Sequence, residues 1–248
     1  MQHSKARTTF RNRILHFNDD LEFMDIIFRA VLNSDVTDGG KIFQNFIPQK
    51  HTHIARYTVS QDNRRKIAAH CKAAMYSSYV KDLYEEVSMY LMNILTEAAE
   101  NTRENPERIL GDLSNMSMTY NEILTYAKDG TITQKVIERV FQHLENERST
   151  VKLIDKICKR LGLKIDEKIM NEAVYYLEIR HKLVHTDGFA DDDFRASHPS
   201  LTYTPDSYID LTYDTIVSMR EKVTALMDAI DSEAISKGIL KPHTVPKK

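Results

Sequence analysis

Glycine and proline are scarce in this chain, seven and six among 248 residues, and they fall between periodic segments rather than inside them. That leaves little material for a turn-rich fold and favours helices joined by loops. Cysteine is scarcer still. Cys71 and Cys158 stand far apart and match no metal or redox spacing, which excludes a disulfide framework and points to a reduced, cytoplasmic setting. No apolar run approaches the roughly 20 residues needed to span a bilayer, and residues 1–5 lack the apolar core of a secretory signal. Neither sign of charge prevails: 34 Lys and Arg face 36 Asp and Glu, for a net charge of -2. No overall basic field advertises nucleic-acid binding, so any such surface has to be local. No internal repeat or low-complexity tract is present.

What remains is a 42% hydrophobic chain, ample for a real core. Its apolar residues recur at helical spacing. Residues 1–16 are basic without a clear period, and Asn18 and Asp19 are placed to cap a helix burying Leu21, Met24, Ile27, Phe28 and Val31. Residues 35–61 read as loop, with a short strand at 54–59. The longest helical signal covers 63–101 through Met75, Tyr79, Leu83, Val87, Tyr90, Leu91, Ile94 and Leu95. A connection begins at Asn105-Pro106, a short helix is expected at 121–127 and an amphipathic one at 132–144. Ser149 and Thr150 cap a further helix, which Gly162 ends. A helix over 166–185 follows, then a polar acidic loop over 187–205, then a closing helix over 207–234 with an apolar stripe from Ile209 to Ile230. The expected fold is an all-α bundle. It divides into an N-terminal extension at 1–62 (basic arm, one helix, loop), a helical bundle at 63–236, and a disordered tail at 237–248.

The chemistry concentrates at the end of the 166–185 helix, in Glu178-Ile179-Arg180-His181-Lys182-Leu183-Val184-His185-Thr186-Asp187-Gly188. Arg is a permanent cation whose fork of donors grips phosphate, and His moves protons near neutral pH. Arg180 interrupts an apolar line of Ile169, Ala173, Tyr176 and Leu183. It therefore needs either an acid such as Glu178 or Glu172, or a cleft or subunit boundary. His185 lies about 140° round a straight helix from Arg180, so one cleft receives both if the helix frays or tightens there. His181 and His185 also have the i, i+4 spacing of a zinc pair. The intervening Lys182, Leu183 and Val184 lack the metalloprotease glutamate, and the candidates for a third ligand are Asp187 and the run Asp191-Asp192-Asp193. No metal and no cofactor are assigned.

Arg180-His181-Lys182-Leu183-Val184-His185, followed by Thr186-Asp187-Gly188, resembles the Arg, polar residue, three residues, His signature of the HEPN family, and the order of helices over 63–236 is similar to its RiboL-PSP branch. The hexapeptide alone is weakly specific, since Arg11-Asn12-Arg13-Ile14-Leu15-His16 fits it too. Position in the helix order selects 180–185. The resemblance implies a HEPN-like bundle and a metal-independent endoribonuclease, commonly a toxin or antiphage effector, working as a homodimer with a composite site. An antitoxin or other regulatory partner is implied alongside. It assigns catalysis to Arg180 and His185, with His181 in the family's polar position and Glu178 either orienting Arg180 or pairing with Lys182. Lys5, Arg7, Arg11, Arg13, Arg64, Arg65 and Lys66 are candidates for RNA backbone contacts. The runner-up reading is a HEPN-like module that binds nucleotide or a partner chain without cutting.

Overall fold

The computed structural model describes residues 2–32, 61–101, 109–111, 117–145 and 149–243. Among them the fold is all-α, as the periodicity predicts. Its helices are α1 (Lys5–Leu32), α2 (Gln61–Asn101), α3 (Tyr120–Lys128), α4 (Ile132–Glu145), α5 (Thr150–Leu161), α6 (Glu167–His185), α7 (Asp192–Ser197) and α8 (Tyr213–Ser236). Between α7 and α8 lies a two-stranded antiparallel ribbon, β1 (Thr202–Tyr203) and β2 (Ile209–Asp210). No helix among the described residues is long and apolar enough to cross a membrane.

Local chemistry sets the helix ends. Ser149 caps α5 by accepting from the Lys152 N–H, and Gly162 closes it in the left-handed region at φ 63°. That conformation costs glycine nothing but strains a residue with a Cβ. Asp166 caps α6 by accepting from the N–H groups of Lys168 and Ile169. The core then forms from one stripe of each long helix. Tyr76, Leu83, Ile94 and Leu95 of α2 meet Ile154 and Ile157 of α5, Ala173 and Ile179 of α6, and Val223 and Ile230 of α8. Burying each large side chain contributes about 1.5–3 kcal/mol before entropy is charged, which is why α2, the longest of these helices, serves as the central post.

The N-terminal segment departs from expectation. The basic arm is no arm: α1 starts at Lys5 and runs unbroken to Leu32, so Asn18 and Asp19 lie inside a helix rather than capping one. Ala6, Phe10, Ile14 and Leu21 enter the same core as α2, and this helix is not a separate extension. Its buried face also carries Arg7, Asn18 and Asp25. Arg7 Nε donates to Asp228 of α8, Asn18 accepts from the Tyr79 hydroxyl at 2.7 Å, and Asp25 accepts from Tyr76 and Arg29. Ile27, expected inside, is exposed. The expected strand at 54–59 and the connection at Asn105-Pro106 lie outside the described residues.

The C-terminal third differs too. The acidic loop holds α7 and β1, and α8 starts at Tyr213 rather than 207, leaving Ile209 in β2. Of the expected tail, Ile239 and Leu240 are buried, with both N–H groups donating to the Ala234 carbonyl. The His243 N–H donates to the His3 carbonyl at 2.7 Å, which ties this end of the chain to the start of α1.

Candidate active site

Helix α6 presents one face to the core through Ala173, Val174, Leu177 and Ile179. The line through Ile169, Tyr176, Arg180 and Leu183 is half-buried at its margin, with only Ala173 of that line fully inside. Arg180 is therefore a rim residue rather than a charge sunk in apolar packing. It opens into a cleft of about 960 Å³ whose walls come from five helices and the loop joining two of them. Tyr84 of α2 and Glu145 at the end of α4 lie on one side, with Ser149 and Thr150 at the start of α5. Leu177, Glu178, Arg180, His181, Lys182 and His185 come from α6, and Phe194, Ser197 and His198 close the remaining side.

All four residues singled out from sequence, Arg180, His185, His181 and Glu178, thus line one cavity. They reach it without the expected fraying. Helix α6 stays regular through His185, and the Thr186 N–H donates to the Lys182 carbonyl at 3.0 Å. The turn that follows is sharp. Asp187 and Gly188 both take positive φ, at 49° and 87°, and the Gly188 N–H returns to the Lys182 carbonyl at 2.9 Å. The chain beyond is zipped to β2. The Ile209 N–H donates to the Gly188 carbonyl and the Ala190 N–H to the Ser207 carbonyl, each at 2.9 Å, while the Phe189 and Tyr208 rings pack edge to face. The C-terminal end of α6 is therefore fixed by ribbon hydrogen bonds rather than left to a loose loop.

Each charge has an identifiable environment. The Arg180 guanidinium lies over the Tyr84 ring, 4.7 Å from its centroid, and meets no carboxylate within ion-pair distance among the described residues. The acids proposed for it are engaged elsewhere: Glu172 with Lys222 at 2.7 Å, and Glu178 beside His198 at 3.5 Å. Glu178 does not pair with Lys182 either. Lys182 instead bonds Asp191, which with the Phe194 N–H holds the Asp191 carboxyl below the usual carboxylate range. The His181 and His185 rings lie 4.5 Å apart, tilted by 46°. Partial desolvation lowers the His181 pKa, and the positive neighbours His185, Lys182 and Arg180 lower it further. This imidazole is biased towards its neutral, proton-accepting form.

Two lining residues carry no sequence signal for a site. Tyr84 follows Leu83 on an ordinary helical stripe. His198 is 2% exposed, stacked on Phe194 at 3.9 Å and beside Tyr175 at 4.4 Å. Its Nε2 lies 3.0 Å from the Tyr175 carbonyl and its Nδ1 2.9 Å from the Ser197 hydroxyl, which pins α7 to α6. Among the described residues no three His, Cys, Asp or Glu side chains gather as metal ligands. Asp191, once a candidate third ligand for the His181–His185 pair, caps α7 and bonds Lys182.

The second hexapeptide, Arg11 to His16, lies on α1. Arg11 lines a different groove, between α1 and α8, and His16 is exposed. Of the basic residues considered for RNA contact, Arg7 is excluded by burial and its bond to Asp228, and Arg13 donates to Glu86 at 2.7 Å. Comparison with known proteins adds no relative: no family model, no curated protein and no solved structure matches this chain.

Proposed function

We propose that this protein is a metal-independent endoribonuclease with Arg180, His181 and His185 as its working groups. One observation carries the reading: an arginine without a carboxylate partner among the described residues shares a cleft with two imidazoles in contact. A guanidinium so placed has its donors available for the non-bridging oxygens of a phosphodiester. A neutral imidazole accepts a proton, and a protonated one returns it.

The chemistry follows from those roles. His181, biased to its neutral form, takes the proton of a ribose 2′-hydroxyl. The 2′-oxygen attacks the adjacent phosphorus, and Arg180 stabilises the negative charge that builds on the equatorial oxygens. The bond to the 5′-oxygen breaks, and an imidazolium at the position of His185 supplies the leaving group with its proton. The products are a 2′,3′-cyclic phosphate and a 5′-hydroxyl, and the need for a 2′-hydroxyl confines the reaction to RNA. Glu178, beside His198, acts on the cleft wall rather than on the scissile bond.

The HEPN resemblance extends this reading to a cytoplasmic homodimer with a composite site, serving as a toxin or antiphage effector under a regulatory partner. Incubating the purified protein with total RNA in excess EDTA, and mapping the termini, tests it. Cyclic phosphate ends and 5′-hydroxyls are expected. RNA left intact, or cut to 3′-hydroxyl ends, contradicts it.

A further inference from the structure

We infer that Tyr84 is the positioning residue for Arg180. The inference takes from the proposed ribonuclease activity what Arg180 acts on, and from geometry how Arg180 is held. A long cationic side chain at the rim of a cleft has many rotamers, and catalysis needs one. A carboxylate partner selects a rotamer but occupies the donor fork that a phosphodiester requires. An aromatic face selects a rotamer and leaves those donors free, because it attracts the cation through its π cloud while the N–H groups point outward in the guanidinium plane.

The cleft is arranged in the second way. The central carbon of the guanidinium stands 4.7 Å from the Tyr84 centroid. Three acids near them in sequence face other cations or rings: Glu86 receives Arg13, Glu178 lies beside His198, and Asp191 bonds Lys182. Tyr84 is itself a firm platform. It packs against the main core on α2, between Leu83 and Val87, which are 0% and 2% exposed. Its hydroxyl makes no hydrogen bond among the described residues, so the ring does the holding. Phenylalanine should therefore replace tyrosine, and leucine, which keeps the packing but lacks the π face, should not.

Two measurements on Y84F and Y84L decide this, each variant first matched to wild type by thermal melting. In RNA cleavage, Y84L is expected to lose about tenfold in kcat with KM within about twofold of wild type, while Y84F retains wild-type kcat. A loss in Y84F equal to that in Y84L, a loss confined to KM, or an unchanged kcat in Y84L overturns the assignment. In NMR spectra of the free protein, ring current should shift the Arg180 δ-methylene and Nε–H resonances upfield in wild type and Y84F, and release them in Y84L. Unshifted resonances in wild type overturn it also. Wild-type protein that cuts no RNA sinks the ribonuclease reading, and the ring-current comparison then still decides whether Tyr84 holds Arg180.

Discussion

The rings of His181 and His185 sit 4.5 Å apart on successive turns of α6, with Arg180 beside the first. Desolvation first, and then His185 with Lys182 and Arg180, bias His181 towards its neutral form.

This predicts how His181 titrates. Desolvation, then His185, Lys182 and Arg180, depress its folded pKa below the unfolded value of about 6.5. As pH falls, the unfolded chain protonates at this position before the folded one. The stability linked to His181 is therefore complete above about pH 6.5 and declines as pH drops through that value towards the folded pKa. A histidine side-chain NMR titration should give a His181 midpoint below that of free histidine, and H185Q should raise it. A midpoint at or above 6.5 in wild type contradicts the environment described.

Neighbouring residues on α6 should separate stability from chemistry. Ile179 is fully buried, so I179A should cost about 3–4 kcal/mol in urea denaturation, from lost transfer energy plus a cavity. Arg180 sits at the rim with a single ring contact, and R180A should stay within about 1 kcal/mol of wild type. An equal loss in both variants would make Arg180 a structural residue.

The duplicate hexapeptide offers an internal control. Arg11 and His16 satisfy the same pattern on α1 but lie outside the cleft. The variant H16A, which removes the imidazole of this copy, should cleave RNA at the wild-type rate in a fixed-time assay. A loss of tenfold or more would move the site to α1.

His198 is buried between Phe194 and Tyr175 and bonds the Tyr175 carbonyl. Truncating it in H198A removes the stack and leaves that carbonyl short of its donor, a cost of about 2–3 kcal/mol. Hydrogen exchange should quicken across 190–201 first, because this ring is what pins α7 to α6. Uniform quickening across the whole chain would assign His198 to the global core instead.

The helical order is legible because α2, α4, α5 and α6 bury apolar stripes, and because Ser149 and Asp166 open α5 and α6 while Gly162 ends α5 and Gly188 follows α6, each by its own chemistry. Helix α1 is not. Its inward face carries Arg7, Asn18 and Asp25, which erase the apolar period and find partners far along the chain, at 228, 79 and 76. The β1–β2 ribbon is not legible in the sequence, because two-residue strands carry no alternation to read. Arg180, His181 and His185 were legible as chemistry within eleven residues. Tyr84 and His198 were not, since a ring beneath a guanidinium and an imidazole between two aromatics are tertiary facts.

Cleavage by wild type, R180A and H185A, measured side by side in EDTA on protein shown folded by circular dichroism, tests the proposed activity most directly. Wild type should cut RNA to cyclic phosphate ends, and each variant should lose at least 100-fold, roughly the contribution of one positioned acid, base or charge-stabilising group. Cleavage that persists in both folded variants would place the chemistry elsewhere.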